Sequence, residues 1–575
     1  MSLAVSLSIV VSRVALLAAF GLLAVVVFLR REQVRGLLRR FFGAAGHPLN
    51  LAVFRVVLFS VLFVRVDLES IGWYATLSSD LMYPPPGWAG ILSVVPITPG
   101  AALVAAYVVK AACVLAIIGL FSRTSAGVVF VVGLYALGVL QFYGKVSHFH
   151  HLMWFAALMA VSPAGHALSV DAFLRARREA KAGAPLPPER HVAYALPLRF
   201  VWLLMGVLYF FPGFWKAWRA GARWALSDNV QLMMYQKWTE FGDWAPAFRI
   251  DHYPALYQLA GVATMLFELS FILLVFFAAG RVIALVGGLL FHQMTNVFMR
   301  ISFWHLQPMY VSFVDWAGLG RWLGGRLFPD DLVVTYDEGN PHQSRVVRVV
   351  RAFDVFQRVA FVAGARGEAL RAEGGGASYE GADAVRAVAR RVPLLWPWLR
   401  WAGRGRSTAE GHGGARSRLS AREPAARRFA LRAITAVGTL LIVANVTVGF
   451  LHIHTWPISV YPTFAHFSGP TYSVLRMEVE TASGATVELP FEELFAEQAA
   501  RTPARIRMLM GKVVAKRNPR REQQLRTVFA YWLRQWEGDE PVRAVRFYRG
   551  TYSTWFHGQP GERLEDALVY EFTPR

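Results

Sequence analysis

Ten stretches of the chain are apolar enough to read as helices buried in lipid or protein: residues 7–29, 51–66, 100–121, 125–142, 149–161, 198–211, 254–277, 282–298, 301–316 and 429–451. Several approach or exceed the roughly 20 residues an α-helix needs to cross a bilayer. The pattern predicts a mainly α protein, a polytopic helical membrane bundle of about nine or ten spans. Pro212-Gly213 is expected to end the helix begun at residue 198, and the SRTS run at residues 122–125 to form a tight turn between two spans.

The polar connections set an orientation. Residues 30–40 (RREQVRGLLRR) are basic and amphipathic and belong on the cytoplasmic surface, so residues 1–45 read as an uncleaved signal anchor with its N-terminus outside. Residues 67–99 contain no lysine or arginine and are expected outside. Residues 175–181 (RARREAK) and the arginine-rich residues 319–428 are expected inside. The first segment of that loop, residues 332–362, alternates like a strand, turns at residues 338–341 and becomes helical, a small β-α-β unit. Residues 364–428 read as mostly flexible, with a short membrane-surface helix at 392–401. After a last span within residues 429–452, residues 453–575 form an extracytoplasmic α+β domain: strands at 472–480, 485–489, 542–548 and 567–572, helices at 503–514 and 521–536. It carries no hydrolase, kinase or phosphate-loop motif.

Composition agrees. The 575 residues are 55% hydrophobic and 17% charged, and the mean hydropathy of +0.37 excludes an ordinary soluble globular protein. The net charge of +22 then points to anionic lipid headgroups as partners and not to nucleic acid. A single cysteine, Cys113, rules out an intrachain disulfide and any multi-thiolate metal site.

Ionisable residues inside spans are expensive and default to functional candidates. Here they are His148, His150, His151, Glu268, His292, His305 and Lys110, the last read as a packing or snorkelling lysine. His148 and His151 stand three apart and would share a helix face. No HExxH or comparable signature occurs, and no metal is expected. Lys216 lies in residues 209–224 (YFFPGFWKAWRAGARW), among Phe214, Trp215 and Trp218 with Arg219 and Arg223 close behind. Two roles fit it: a desolvated amine able to take a proton, or an interfacial lysine reaching water beside an aromatic belt.

Three of these segments resemble one family. Residues 148–171 (HFHHLMWFAALMAVSPAGHALSVD) resemble the histidine-bearing segment of vitamin K-dependent γ-glutamyl carboxylase and its bacterial relatives, the HTTM-domain membrane proteins; His148, His166 and the triplet Ser169, Val170, Asp171 keep the family spacing. Residues 209–224 resemble its YF-x-x-G-x-K-K segment, with Lys216 on the second lysine and Trp215 replacing the first. Residues 290–301 (LFHQMTNVFMRI) resemble its FHxMN segment, with His292 on the histidine. The resemblance covers about residues 46–316, within a carboxylase-like domain placed at 46–318.

The resemblance implies an inner-membrane enzyme in which Lys216 deprotonates a reduced quinone, vitamin K or a menaquinol-type quinol, for reaction with O2. His148 and His292 would orient the quinone, and Trp215, Trp218, His151 and Asn296 would bind substrate, with His166, Asp171 and Glu268 as secondary candidates. CO2 and a glutamate-bearing peptide or protein on the outer face are the further substrates it implies. Residues 453–575 are shorter than the family's lumenal portion, so quinol oxygenation is the primary expectation and carboxylation the secondary one. The rival is a non-enzymatic quinone- or lipid-binding scaffold whose outer domain recruits a partner. A transporter using Glu268 and the histidines as a proton path is weaker, for no inverted repeat is evident. Finally, residues 336–345 (YDEGNPHQSR) look like the YDGxCPxCxR opening of small thiol–disulfide oxidoreductase-like domains; with both cysteines replaced, a degenerate thioredoxin-like segment without dithiol chemistry is expected at 332–362.

Overall fold

The structure, a computed structural model, describes residues 3–77, 79, 82, 84–143, 146, 148–239, 244–395, 419–459, 464–469, 471–489, 522–523, 526, 530, 540–554 and 563–573. Among them are eight helical spans long and apolar enough to cross a membrane: α1 (Leu3–Leu29), α3 (Pro48–Arg65), α4 (Pro99–Ile118), α5 (Ser122–Ala136, whose span continues through a 3-10 turn to Gln141), α8 (Val192–Ala220), α9 (Pro254–Leu274), α10 (Ala278–Met299) and α14 (Leu419–Leu451). The chain is a mainly α, multi-pass membrane protein with a small sheet near its C-terminus. Between these helices lie the amphipathic α2 (Arg31–Gly43), the short apolar α6 (His151–Val161) and the basic α7 (Val170–Lys181).

Helix α8 is the axis of the bundle, packed along α9 on one side and α14 on the other. Glycines permit the approach. A Cβ on Gly206 would lie 2.8 Å from the Cα of Ile272 on α9, and one on Gly213 would lie 2.9 Å from the Cβ of Glu268. The expected break at Pro212-Gly213 does not occur: α8 continues through Pro197 and Pro212 to Ala220. Proline removes one backbone hydrogen bond, and flanking helices that bury the segment hold the helix together across it.

Two more expectations are corrected. The turn between α4 and α5 lies at residues 119–121, where Gly119 and Phe121 have positive φ, and Ser122 to Ser125 form the first turn of α5. Asp171 supplies the reason: its carboxylate accepts hydrogen bonds from the Phe121 and Ser122 amides at 2.8 and 2.7 Å and from Ser122 Oγ at 2.7 Å. Residues 301–316 are no α-helix. They run irregularly from the end of α10 into a 3-10 helix, Gln307–Phe313, and reach Asp315, which accepts a hydrogen bond from Asn50 Nδ2 near the start of α3. Such backbone is tolerated at membrane depth when protein covers it, and Leu306, Met309, Tyr310 and Ser312 are buried.

Helix α11 (Trp316–Leu327) leads to a compact α/β unit of β1 (Leu332–Tyr336), α12 (Pro341–Phe353), β2 (Val359–Ala363), β3 (Arg371–Gly374), β4 (Ala377–Glu380) and α13 (Gly381–Arg391). Its sheet order is β2-β1-β3-β4, with β1 and β2 parallel as a β-α-β crossover requires. The reading of residues 364–428 as flexible is wrong for the part that is described: Gly375 and Gly376, at positive φ, make the β3–β4 hairpin turn. Residues 396–401 of the expected surface helix lie outside the described residues. Asn340 caps α12, its side chain accepting from the amides of His342 and Gln343. The unit docks on α7 through Arg348, whose Nη1 lies 2.7 Å from Glu179.

The C-terminal sheet, order β6-β5-β7-β8, is antiparallel: β5 (Thr471–Thr481), β6 (Thr486–Leu489), β7 (Val542–Ser553) and β8 (Arg563–Phe572). The helices expected at 503–514 and 521–536 lie outside the described residues, apart from a few positions. The segment entering the domain is clamped to the bundle: the Trp88 indole donates to the Trp456 carbonyl at 2.6 Å and the Trp154 indole to that of Pro457 at 2.9 Å.

His47 caps α3, its Nδ1 accepting from the Leu49 amide at 3.2 Å. Burial, reinforced by Arg190 and Arg321 and opposed chiefly by Glu189, lowers its pKa to about 4. A folded-state value below the unfolded one means that the unfolded chain binds the proton first. Stability is therefore full above about pH 6.5 and is lost as pH falls toward 4. At pH 5 this residue is expected to withdraw about 2 kcal/mol relative to pH 7. Thermal melts of the purified protein should show that loss, and His47→Asn, which caps without titrating, should remove His47's share of it.

Candidate functional site

Helices α8, α9 and α10 converge on a cavity of about 180 Å³ with mostly apolar walls, among them Leu208, Met233, Met234, Phe291, Phe298 and Phe464. Its polar groups are few: Lys216 and Tyr209 from α8, Glu268, Thr264 and Tyr257 from α9, His292 and Thr295 from α10, and His148 and His150 from the turn before α6. An apolar pocket with a small number of convergent polar groups is the form that small-molecule sites take.

Lys216 is 2% exposed and Glu268 3%. The Lys216 ammonium donates to both carboxylate oxygens, at 2.6 and 2.7 Å, and sits 4.8 Å from the centroid of the Trp224 ring. Two charges without water hold one another in place, and neither is tolerable alone. The close passage at Gly213 is what brings α8 near enough for this pair.

Tyr209 precedes Lys216 by seven residues, two helical turns, and so shares its face. Its hydroxyl meets His292 Nε2 and, at 2.6 Å, the hydroxyl of Tyr310. Gly288, one turn before His292, leaves the room that Tyr310 occupies. His292 is 1% exposed, and its Nδ1 has no hydrogen-bond partner among the described residues. A ring fixed through one nitrogen and available through the other is poised to bind a polar ligand atom. His148 completes the rim, with its ring edge-on to Phe303 at 5.8 Å.

The structure thus gathers Lys216, His148, His292 and Glu268, and it removes six other candidates from the cavity wall. Trp215 turns to α14, where its indole donates to the Gly449 carbonyl at 3.1 Å. Trp218 stacks on Phe214 and has the Arg13 guanidinium 5.0 Å from its ring. His151 stacks on His305, 5.4 Å away, because it opens α6 and does not share a face with His148, which lies in the turn before it. Asn296 is on the exposed side of α10. His166 pairs with the Tyr194 hydroxyl at 2.9 Å in a different part of the bundle, and Asp171 caps α5.

Sequence reasoning named His150 only among the ionisable residues of the spans, and it missed Trp224, Tyr209 and Tyr310 as site residues. Helical periodicity from Lys216 would have found Tyr209; the others come from elements whose placement is tertiary. Among the described residues, no three His, Cys, Asp or Glu side chains come together in a way that would hold a metal ion. Comparison with protein-family models, with curated proteins and with solved structures finds no match to this chain.

Proposed function

We propose that the protein is a membrane enzyme that oxygenates a reduced quinone, as its resemblance to the vitamin K-dependent carboxylase and HTTM family implies. The observation that carries this reading is that Lys216, His148 and His292, drawn from three separate stretches, line one apolar cavity together with Glu268. The cavity suits the ring of a naphthoquinol: its walls are mostly apolar, and the Lys216–Glu268 pair and the imidazoles of His148, His150 and His292 stand among them. When bound, such a quinol supplies the electrons that O2 requires, and it leaves as its epoxide with release of water.

The base differs from the isolated lysine expected from the sequence. Lys216 is already bound to Glu268, so the pair acts as a unit: the carboxylate accepts the hydroxyl proton and the ammonium remains to hold the oxyanion left behind. His292 presents Nδ1 to a second ligand oxygen while Tyr209, itself bonded to Tyr310, fixes its ring. Exclusion of water by the methionine and phenylalanine walls strengthens each of these interactions. The charge distribution supports an inner-membrane orientation with the N-terminus and the C-terminal sheet outside and the α/β unit of residues 332–391 inside. Carboxylation of a glutamate on the outer face, with CO2, is a further activity of the same class.

The purified protein in lipid nanodiscs, given a reduced naphthoquinol, should consume O2 and form the quinone epoxide. Quinone binding without O2 consumption would favour the scaffold reading instead.

A further inference from the structure

A second cavity, of about 430 Å³, lies at one end of the bundle. Around it stand the start of α5 at Ser122, the end of α6 at Ser162, His191 at the start of α8, and Ala430 on α14. It shares no lining residue with the Lys216 cavity. Its walls carry three guanidinium groups, Arg123, Arg175 and Arg178, against two carboxylates, Asp171 and Glu179.

Both carboxylates are committed elsewhere. Asp171 accepts three hydrogen bonds from Phe121 and Ser122, and Glu179 is held by Arg348 at 2.7 Å and by Arg175 at 3.6 Å. Arg123 is steadied by its Nε, which donates to the Ser162 carbonyl at 3.1 Å. The side chain of Arg178 forms no ion pair or hydrogen bond among the described residues. Arg123 and Arg178, with no carboxylate paired to either, present the fork geometry that phosphate oxygens accept. At the lip, Phe121 is 64% exposed, an apolar ring where acyl chains would leave the pocket. Basic pockets between helices at the membrane boundary are the form in which anionic headgroups are recognised.

We infer that this cavity binds the phosphate headgroup of an anionic phospholipid between Arg123 and Arg178, with the acyl chains passing Phe121 into the bilayer. The test uses the full-length protein in mixed micelles, melted with phosphatidylglycerol, with phosphatidylcholine, and with phosphatidylcholine plus inorganic phosphate. Phosphatidylglycerol should raise the wild-type melting temperature by about 2–4 °C over phosphatidylcholine, and inorganic phosphate should not. The rise should vanish in Arg123→Gln/Arg178→Gln and persist in Arg31→Gln/Arg39→Gln, which removes two exposed arginines of α2. If the first double variant melts well below wild type in phosphatidylcholine, Arg178→Gln alone, an exposed site, makes the same comparison. A rise that survives loss of Arg178 and Arg123, an equal rise with inorganic phosphate, or no rise at all would overturn the inference.

Discussion

Lys216→Met should destabilise the folded protein by about 3–5 kcal/mol, because it leaves the Glu268 carboxylate buried without its partner. Glu268→Leu should do comparable damage from the other side. The double variant Lys216→Met/Glu268→Leu should recover most of that loss, for two apolar side chains of similar volume suit the surrounding Trp224, Leu208 and Met233. Melting temperatures of the four proteins in one detergent measure the coupling. Additive single effects would mean that the two groups do not depend on one another. The recovery matters for function, since it yields a folded protein that lacks only the charged pair.

Arg55→Leu should have an effect of similar size for a different reason. Arg55, on α3, is fully buried and donates to four backbone carbonyls: Ala164 at 2.6 Å, Leu168 at 2.6 Å, Ala167 at 3.3 Å and Ile117 at 3.4 Å. It ties α3 to the end of α4 and to the irregular segment before α7. At about 1–3 kcal/mol for each buried carbonyl left unpaired, its loss should remove more than about 4 kcal/mol. The variant should be recovered in poor yield, melting far below wild type. Arg55→Lys should restore only part, because an ammonium on a single stem cannot span carbonyls that the guanidinium fork reaches together. A normal melt for Arg55→Leu would show that these carbonyls find other donors.

Where the sequence was legible, a physical constraint acted on single residues or short periods. Lipid requires long apolar helices, so most spans could be read directly; strand alternation did the same for the β-α-β unit and, with the turn residues Ser483-Gly484, for the β5–β6 hairpin, whereas β3, β4 and the Gly375-Gly376 turn between them lay in a stretch whose glycines read as flexible. Two errors came from reading neighbours in sequence as neighbours in space. Trp215 is one residue from Lys216 and Trp218 two, which on a helix turns them about 100° and 200° away. Tyr209, two turns back, faces the same cavity. The period that identified the helix already held that information.

Other features depended on distant partners. Whether Pro212 ends or merely interrupts α8 is decided by α9 and α14 packing around it. The capping of α5 is decided by Asp171, about 50 residues away. Glu268 stood out as an ionisable residue in an apolar run, but its pairing with Lys216 follows from the rotation of two helices about their own axes. Gly206 and Gly213, a heptad apart on one face of α8, were the only local trace of that contact.

We propose that the Lys216–Glu268 pair is the base of a quinol-oxygenating site. The most direct test is epoxide formation from a reduced naphthoquinol by wild type and by the stably folded Lys216→Met/Glu268→Leu variant, in the same nanodiscs with O2 present. Wild type should form epoxide in a quinol-dependent way, with a fall of at least about 100-fold in the variant, the scale of a lost general base. Epoxide formed equally by both proteins, or by neither, would contradict it.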